Sequence, residues 1–265
     1  MCVVYAVCNQ KGGTAKSTLA VNLSIGMARR GKKVLLIDAD SQGSATVSLG
    51  YPEPDQMKIT LASILGKLIN DEEILSEEGI LVHEEGIFLL SGNIELAGIE
   101  VTMVNIMSRE LLMRQYVNQV RQEYDAIFID CSPSLGMLTI NALAAADEVI
   151  VPVQAAYLPV IGLEQLIRTI GRVKRQINPL LQIAGIAITM VDSRTNYARD
   201  ISVLIRNTYG EKIRIFQTAI PMSVRVSECS VAGCSIYRHD PKGKAAQAFE
   251  NLTEEVMECG FARKN

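Results

Sequence analysis

Short apolar runs alternate with longer helical patterns along the 265 residues of the chain. The apolar runs predict strands at residues 3–8, 34–38, 87–91, 126–130, 148–153, 183–190 and 214–218. The segments between them predict helices at residues 16–30, 61–69, 109–123, 137–146, 163–176, 197–209 and 243–258. Strands that alternate with helices form a mostly parallel sheet covered on both faces. We therefore predict a doubly wound α/β fold in a single domain over residues 1–265.

Composition excludes several classes of protein. Hydrophobic residues make up 48% and charged residues 21% of the chain, which is typical of a globular domain. The first residues lack the basic start of a signal peptide, and no window is apolar enough to span a membrane, so we expect a cytoplasmic protein. The six cysteines have no C-x-x-C spacing and there are two histidines, which indicates reduced, buried thiols rather than a metal site or a histidine triad.

A glycine-rich loop stands between the first predicted strand and the first predicted helix. Residues 9–18 read NQKGGTAKST. Such a loop wraps a phosphate with backbone amides, while its lysine contacts the β- and γ-phosphates and its hydroxyl ligates Mg²⁺. The usual G-x-x-x-x-G-K-[ST] pattern is not met, because Gln10 and Ala15 occupy its glycine positions. The K-G-G-x-x-K-[ST] pattern is met, and we expect Ala15 to adopt a backbone conformation that alanine tolerates.

Three aspartates lie at the ends of predicted strands. Asp38 and Asp40 end or follow the second strand, and Asp130 ends an apolar strand. Ligands of parallel sheets bind at these carboxyl ends. A carboxylate such as Asp40 can orient or deprotonate an attacking water. An unpaired buried carboxylate is costly, and a water-mediated hold on Mg²⁺ accounts for Asp130.

These motifs resemble those of one family of P-loop NTPases. The loop at residues 9–18 resembles the deviant Walker A motif of the ParA/MinD ATPases, with Lys11 as its additional lysine. Segments 38–46 (DADSQGSAT), 124–133 (YDAIFIDCSP), 151–154 (VPVQ) and 240–244 (DPKGK) resemble later family motifs, most closely those of the short ParA branch that is also called Soj. The chain departs from the family at Ala156, where relatives often carry glutamate, and at Met222, where they often carry arginine.

The resemblance implies the site residues and their ligands. It implies ATP and Mg²⁺ as cofactors. The implied nucleotide-binding residues are Lys11, Gly12, Gly13, Thr14, Ala15, Lys16, Ser17, Thr18, Met190 and Pro221. The implied catalytic residues are Lys11, Lys16 and Asp40, and the implied metal-binding residues are Ser17, Asp40 and Asp130.

The resemblance also implies a DNA-partitioning function. A homodimer formed on ATP binding would bind nonspecific DNA, associate with the nucleoid, and release DNA on hydrolysis stimulated by a ParB-like centromere-binding partner. Charge is distributed accordingly, since residues 53–100 have a net charge of −9 and residues 162–244 one of +7. Dimerisation would double the basic surface and increase its affinity for phosphates. The candidate DNA contacts are Arg194, Arg225, Lys242 and Lys244.

Two alternatives remain open from the sequence. A MinD-like membrane-positioning ATPase would need a basic amphipathic C-terminal helix, whereas the last predicted helix carries Glu250, Glu254, Glu255 and Glu258. We therefore expect no stable membrane insertion. An ATP-driven iron–sulfur reductase of the nitrogenase iron-protein type would need cysteines that share a cluster, and only Cys131 lies near the expected site.

Overall fold

The computed structural model describes residues 2–155, 157–192 and 194–262, with side chains described in the same ranges except 157–162 and 261–262. Ala156 lies outside the described residues. The described strands form a seven-stranded sheet in the order β3-β4-β2-β5-β1-β6-β7. They are β1 (Val3–Val7), β2 (Val34–Ala39), β3 (Ile80–Val82), β4 (Phe88–Leu90), β5 (Ala126–Cys131), β6 (Glu148–Gln154) and β7 (Gln182–Thr189). Neighbouring strands are parallel except for β3, which pairs antiparallel with β4.

Helices connect most of the strands. They are α1 (Lys16–Ala28), α2 (Ser44–Ser48), α3 (Leu61–Ile69), α4 (Glu95–Thr102), α5 (Leu112–Val120), α6 (Met137–Ala145), α7 (Tyr157–Gln176), α8 (Asn196–Tyr209), α9 (Val224–Ala232), α10 (Ile236–His239) and α11 (Lys244–Ala262). Short 3₁₀ turns cover Pro54–Gln56, Met103–Asn105, Arg109–Leu111 and Arg121–Glu123. The prediction of a doubly wound, mostly parallel α/β fold is confirmed.

The sheet separates two hydrophobic cores. Along β1, Val4 and Ala6 belong to the core under α3, α5, α6 and α7, while Val3, Tyr5 and Val7 belong to the core under α1 and α11. Every residue of β1 is therefore buried, which explains why the strand reads as an uninterrupted apolar run. Burial of one such Val side chain stabilises the fold by about 1.5–3 kcal/mol relative to exposure.

The prediction of a strand at residues 214–218 is wrong. Ile215 makes only an isolated bridge to Ile186 of β7. The backbone amides of Gln217 and Thr218 instead donate to the Glu255 carboxylate of α11, at 2.7 and 2.8 Å. Because these two amides are hydrogen-bonded to the Glu255 side chain, the segment cannot continue a regular ladder of backbone hydrogen bonds with β7.

The predicted helix at residues 109–123 is shorter than expected. Its α-helical part is α5, and a 3₁₀ turn lies at each end. The side chain of Asn141 on α6 accepts from Met113 N at 3.0 Å and donates to Arg109 O at 2.8 Å. A side chain of α6 thus supplies hydrogen-bond partners to backbone groups near the start of α5. The sequence of α5 alone does not reveal this contact. Leu112, Tyr116 and Val120 recur at every fourth position of α5 and form a buried stripe along it.

Candidate active site

The glycine-rich loop and the aspartates meet at the carboxyl edge of the sheet. In the register of β1 with β5, Val7 lies opposite Asp130, and in the register of β2 with β5, Asp38 lies opposite the same residue. Loop 9–18 leaves β1 at this edge, and Asp40 follows β2. Since β1, β5 and β2 are neighbours in the sheet, their adjacent ends bring residues from three distant parts of the sequence together.

Hydrogen bonds from neighbouring strands hold the loop in place. Asn9 Nδ2 donates to Pro152 O of β6 at 2.6 Å, and Asn9 Oδ1 accepts from Lys11 N at 3.0 Å. On the other side, Thr189 Oγ1 at the end of β7 donates to Thr14 O at 3.1 Å. The loop is therefore attached to β6 and β7 before any ligand binds.

The backbone at Ala15 contradicts the sequence-based expectation. Ala15 has φ +65° and ψ +34°, in the left-handed region that alanine tolerates poorly. This conformation places Ala15 immediately before α1 and turns the chain into the helix. Gly13 adopts φ +70° in the same loop. Strained backbone of this kind often occurs where a loop is shaped for a ligand.

Lys16 provides a buried positive charge at the start of α1. Its side chain is buried, and its Nζ donates to Lys11 O at 3.2 Å across the loop. The ammonium group keeps two further N–H donors. The unpaired amides of the helix start lie beside it, and together these groups favour an anion.

Asp130 is a buried carboxylate at the end of β5. Among the described residues, neither of its oxygens has a hydrogen bond of normal geometry, although the Ser17 hydroxyl lies close enough to lower its pKa. Burial and, next, the charge of Asp38 outweigh this effect and raise the pKa of Asp130 well above its usual value.

The oxygen atoms of Ser17 and Asp130 are ligands of the kind that Mg²⁺ prefers. No group of three or more His, Cys, Asp or Glu side chains in the described part of the chain is arranged to hold a metal by itself. Magnesium usually takes one or two protein oxygens and completes its shell with phosphate and water oxygens. Ser17 Oγ and the unpartnered Asp130 carboxylate supply oxygens of this kind.

Asp38 and Asp40 have different surroundings. Asp40 is 6% exposed, and its Oδ1 accepts a hydrogen bond from Gln42 N at 3.1 Å. Asp38 is fully buried, and burial raises its pKa to about 6 although hydrogen bonds from Thr46 oppose the shift. Of these two carboxylates, Asp40 is therefore the one that keeps some exposure.

A cavity of about 360 Å³ lies beside the loop, a size suited to a small-molecule ligand. Its walls bring the predicted residues Met190 and Pro221 together with loop and α1 residues Gly13, Ala15 and Thr18. Met222 N donates to Val191 O at 3.0 Å, which joins the two segments that carry Met190 and Pro221. Val226, Ser227 and Ser230 of α9 also line the cavity, but this nine-residue helix was not predicted because its apolar periodicity is weak.

The candidate DNA contacts lie outside this cavity. Arg194 pairs with Asp192 through two hydrogen bonds of 2.9 Å, and Arg225 pairs with Glu228 at 2.9 Å. His239 at the end of α10 contacts the same Glu228 at 2.9 Å, so the turn with Lys242, which leads to Lys244 at the start of α11, follows close to α9. Both lysines are exposed.

Comparison with known proteins identifies relatives over nearly the whole chain. A family model described as an AAA domain matches residues 2–183. The sporulation initiation inhibitor protein Soj of Bacillus subtilis is 37% identical over 257 residues, which cover 97% of this chain and 99% of Soj. The chromosome partitioning protein ParA of Myxococcus xanthus is 39% identical, with 96% of this chain and 87% of ParA covered.

Solved structures share the fold. Cobyrinic acid a,c-diamide synthase from Mycobacterium smegmatis with bound ADP and magnesium superposes with a TM-score of 0.84 at 32% identity, covering 97% of this chain and 95% of that protein. MinD from Pyrococcus horikoshii, in complex with Mg-ADP, superposes with a TM-score of 0.73 at 23% identity over 97% of this chain and 96% of MinD, which supports the fold alone. The match to the family model and the identity to full-length relatives agree with the loop, the aspartates and the sheet order described above. The chain therefore belongs to the AAA-domain family and, within it, to the ParA/Soj group of P-loop ATPases.

Proposed function

We propose that this chain is an ATP-dependent DNA-partitioning ATPase, which binds nonspecific DNA as an ATP-bound homodimer and releases it on hydrolysis. The observation that carries the ATPase site is the unpartnered Asp130 carboxylate beside Ser17, with Lys16 and Asp40 close to it. The kinship with partitioning proteins supports the cellular role.

The loop and α1 supply the phosphate-binding groups. Lys16 would exchange its contact with Lys11 O for the β- and γ-phosphates, and the amides of residues 13–17 would surround the phosphates. Ser17 Oγ would ligate Mg²⁺ directly and Asp130 through water. Bound there, Mg²⁺ neutralises charge on the phosphate oxygens. Gly13, Ala15, Thr18, Met190 and Pro221 would enclose the rest of the nucleotide.

Asp40 and Lys11 would act on the reaction itself. The Asp40 carboxylate orients the attacking water and accepts its proton. Lys11 is half-buried at the loop surface, where it would reach the nucleotide of the other subunit and stabilise transition-state charge in the manner of an arginine finger. Hydrolysis in this arrangement depends on the homodimer, which allows a ParB-like partner to control the rate at the dimer surface.

The net positive charge of residues 162–244 supports a DNA-binding surface in this segment. Lys242 and Lys244 are exposed close to α9, which carries Arg225. Arg194 and Arg225 would exchange their carboxylate partners for DNA phosphates. Water screens exposed ion pairs of this kind, so they contribute little to stability and the exchange costs little.

A DNA-binding titration with ATP, with ADP and without nucleotide, each at two salt concentrations, tests the proposal. We expect binding with ATP only, and a decrease with salt as counterions compete for the phosphates. The Asp40→Ala variant should bind DNA with ATP but hydrolyse ATP slowly. Equal DNA binding with ADP would contradict the nucleotide switch, and normal turnover by Asp40→Ala would remove Asp40 from its catalytic role.

The MinD-like alternative receives less support. No helix in the described ranges combines the length and apolar character needed to cross a membrane. The acidic residues of α11 serve contacts within the fold, because Glu250 and Glu254 pair with Arg30, in the turn after α1, at 2.8 and 2.7 Å. A vesicle-flotation assay with ATP should therefore leave the protein unbound.

Two further activities are less favoured. The iron–sulfur reductase would need Cys131 at the dimer surface, whereas Cys131 is buried beside Cys8. The solved relative with 32% identity bears the name of a synthase, so an ATP-dependent synthase is the remaining candidate. It predicts turnover that depends on a small-molecule acceptor, while the partitioning ATPase predicts stimulation by DNA together with a ParB-like protein.

A further inference from the structure

Asp38 is a buried carboxylate to which the mechanism above assigns no step. Its two oxygens accept three hydrogen bonds. Thr46 donates its amide and its hydroxyl to Asp38 Oδ2 at 2.8 and 2.7 Å, and Asp40 donates its amide to Asp38 Oδ1 at 3.2 Å. Asp38 thus joins the backbone of Asp40 to the side chain of Thr46.

The Thr46 hydroxyl also joins a third segment. Thr46 lies in α2, the five-residue helix that follows loop 40–43. Its Oγ1 donates to Asp38 and accepts a hydrogen bond from Gly92 N, in the loop after β4, at 3.2 Å. All three residues are buried, so water does not compete for these bonds. The hydroxyl therefore connects the end of β2, α2 and the loop after β4.

Close backbone contacts reinforce this connection. A Cβ atom on Gly92 would lie 2.5 Å from Asp38 O and 2.9 Å from Asp40 O, so no side chain fits there. Gly43 has φ +58°, and a Cβ atom on it would lie 3.0 Å from Gly92 O. The backbone around Asp40 is consequently packed against residue 92, while hydrogen bonds hold it from the side of Asp38.

We propose that Thr46 is a positioning residue for ATP hydrolysis: its hydroxyl orients Asp38, and Asp38 in turn holds the backbone amide of Asp40. The proposal rests on the proposed function, in which the Asp40 carboxylate acts on the attacking water. A catalytic group must be held in place to be effective, since a misplacement of about 1 Å costs about a hundredfold in rate. The methyl group of Thr46 is not part of this connection.

The positioning role of the Thr46 hydroxyl can be tested in two pairs of proteins, each of which differs mainly by this hydroxyl. Thr46→Val replaces the hydroxyl of the wild type with a methyl group of similar size. Thr46→Ala and Thr46→Ser differ from each other by the hydroxyl alone, and they decide the question should Thr46→Val fail to fold. Thr253→Val is the control, because the buried Thr253 Oγ1 donates within α11 to Phe249 O at 2.7 Å, away from the site.

Two measurements are made on each folded protein. We expect Thr46→Val and Thr46→Ala to lower kcat for ATP by about tenfold or more with KM within about threefold, because phosphate binding is intact while Asp40 is misplaced. Thr46→Ser should keep kcat within about threefold of the wild type. Hydrogen exchange of the Asp40 amide, followed by NMR, should accelerate in the Val and Ala variants only.

The outcomes separate this proposal from the proposed function. Unchanged kcat in Thr46→Val, an equal loss in Thr46→Ser, or a similar loss in Thr253→Val would overturn the positioning role. Unchanged exchange of the Asp40 amide in Thr46→Val and Thr46→Ala would overturn it as well. A wild-type protein that hydrolyses no ATP would instead contradict the proposed function, and Asp40 exchange would still decide whether Thr46 positions Asp40.

Discussion

Single residues at the cavity beside loop 9–18 adopt backbone conformations that their side chains disfavour. Ala15 has φ +65° and Met190 has φ +54°, and both line the same cavity. For a residue with a Cβ atom, the left-handed conformation costs about 1–2 kcal/mol. The rest of the fold offsets this cost, because hydrogen bonds from Asn9 and Thr189 hold the loop to β6 and β7.

Replacing Ala15 with glycine should stabilise the protein. We expect Ala15→Gly to increase the free energy of unfolding by about 1 kcal/mol, because glycine adopts positive φ without a steric cost. Ala97→Gly is the control, since Ala97 is exposed in α4 and its replacement should decrease stability by about 1 kcal/mol. Urea denaturation measures both changes. Equal destabilisation by the two substitutions would contradict the assigned strain.

Lys16 should account for much of the affinity for ATP. We expect Lys16→Ala to weaken ATP binding by about a hundredfold, because contacts of a charged donor with phosphate contribute about 1.5–3 kcal/mol each. Isothermal titration calorimetry measures the change. Lys174→Ala is the matched control, because Lys174 is exposed near the C-terminal end of α7, away from the loop. An affinity of Lys16→Ala within about threefold of the wild type would contradict the phosphate-binding role.

At the scale of elements, long periodic segments were predicted well and short ones poorly. α3 has the predicted bounds, whereas α2, α4, α9, α10 and the three-residue strand β3 were not predicted. The elements α2, α10 and β3 carry too few residues for a periodic pattern, and the apolar periodicity of α4 and α9 is weak. Their positions depend on contacts with the rest of the fold, such as the hydrogen bonds that Thr46 of α2 makes with Asp38.

The buried stripe of α5 contains one polar atom without a partner. Among the described residues, the Tyr116 hydroxyl is buried and makes no hydrogen bond. We expect Tyr116→Phe to increase the free energy of unfolding by about 1 kcal/mol, because it removes an unsatisfied polar group. Thermal unfolding monitored by circular dichroism measures the change.

Tyr237→Phe is the matched control for this prediction. The Tyr237 hydroxyl is also in the core, but it contacts Thr253 Oγ1 at 3.4 Å. Its removal should decrease stability by about 1 kcal/mol, since it leaves Thr253 with one partner fewer. If both tyrosine variants are destabilised equally, the assignment of an unsatisfied hydroxyl to Tyr116 is wrong.

The pH dependence of folding is a property of the whole molecule. His83 is buried at the end of β3 next to Leu49, and its Nε2 lies 3.1 Å from Leu49 O, while its Nδ1 accepts from Glu85 N at 3.2 Å. Burial lowers the pKa of His83 below its usual value of 6.5, against the opposing charge of Glu85. The neutral ring is therefore the form that fits the fold.

Stability should fall as the pH decreases below about 6.5, the pKa of histidine in the unfolded chain. In that window the unfolded chain binds a proton at His83 that the folded chain does not bind, and the loss continues down to the lowered folded pKa. Comparison of the wild type with His83→Gln isolates this contribution, because other groups such as Asp38 are common to both. A pH dependence of unfolding that is identical in the two proteins would contradict it.

The amino-acid sequence by itself determined most strands of the sheet, the glycine-rich loop and the three aspartates, because these depend on local patterns of apolar residues and on residue order along the chain. Only the tertiary structure decided how they act together: the left-handed backbone of Ala15, and the connection from Gly92 through Thr46 to Asp38. This connection joins residues that become neighbours only when β2 and β4 pair in the sheet. Whether a buried carboxylate such as Asp130 finds a partner is therefore settled by packing, which local sequence does not encode.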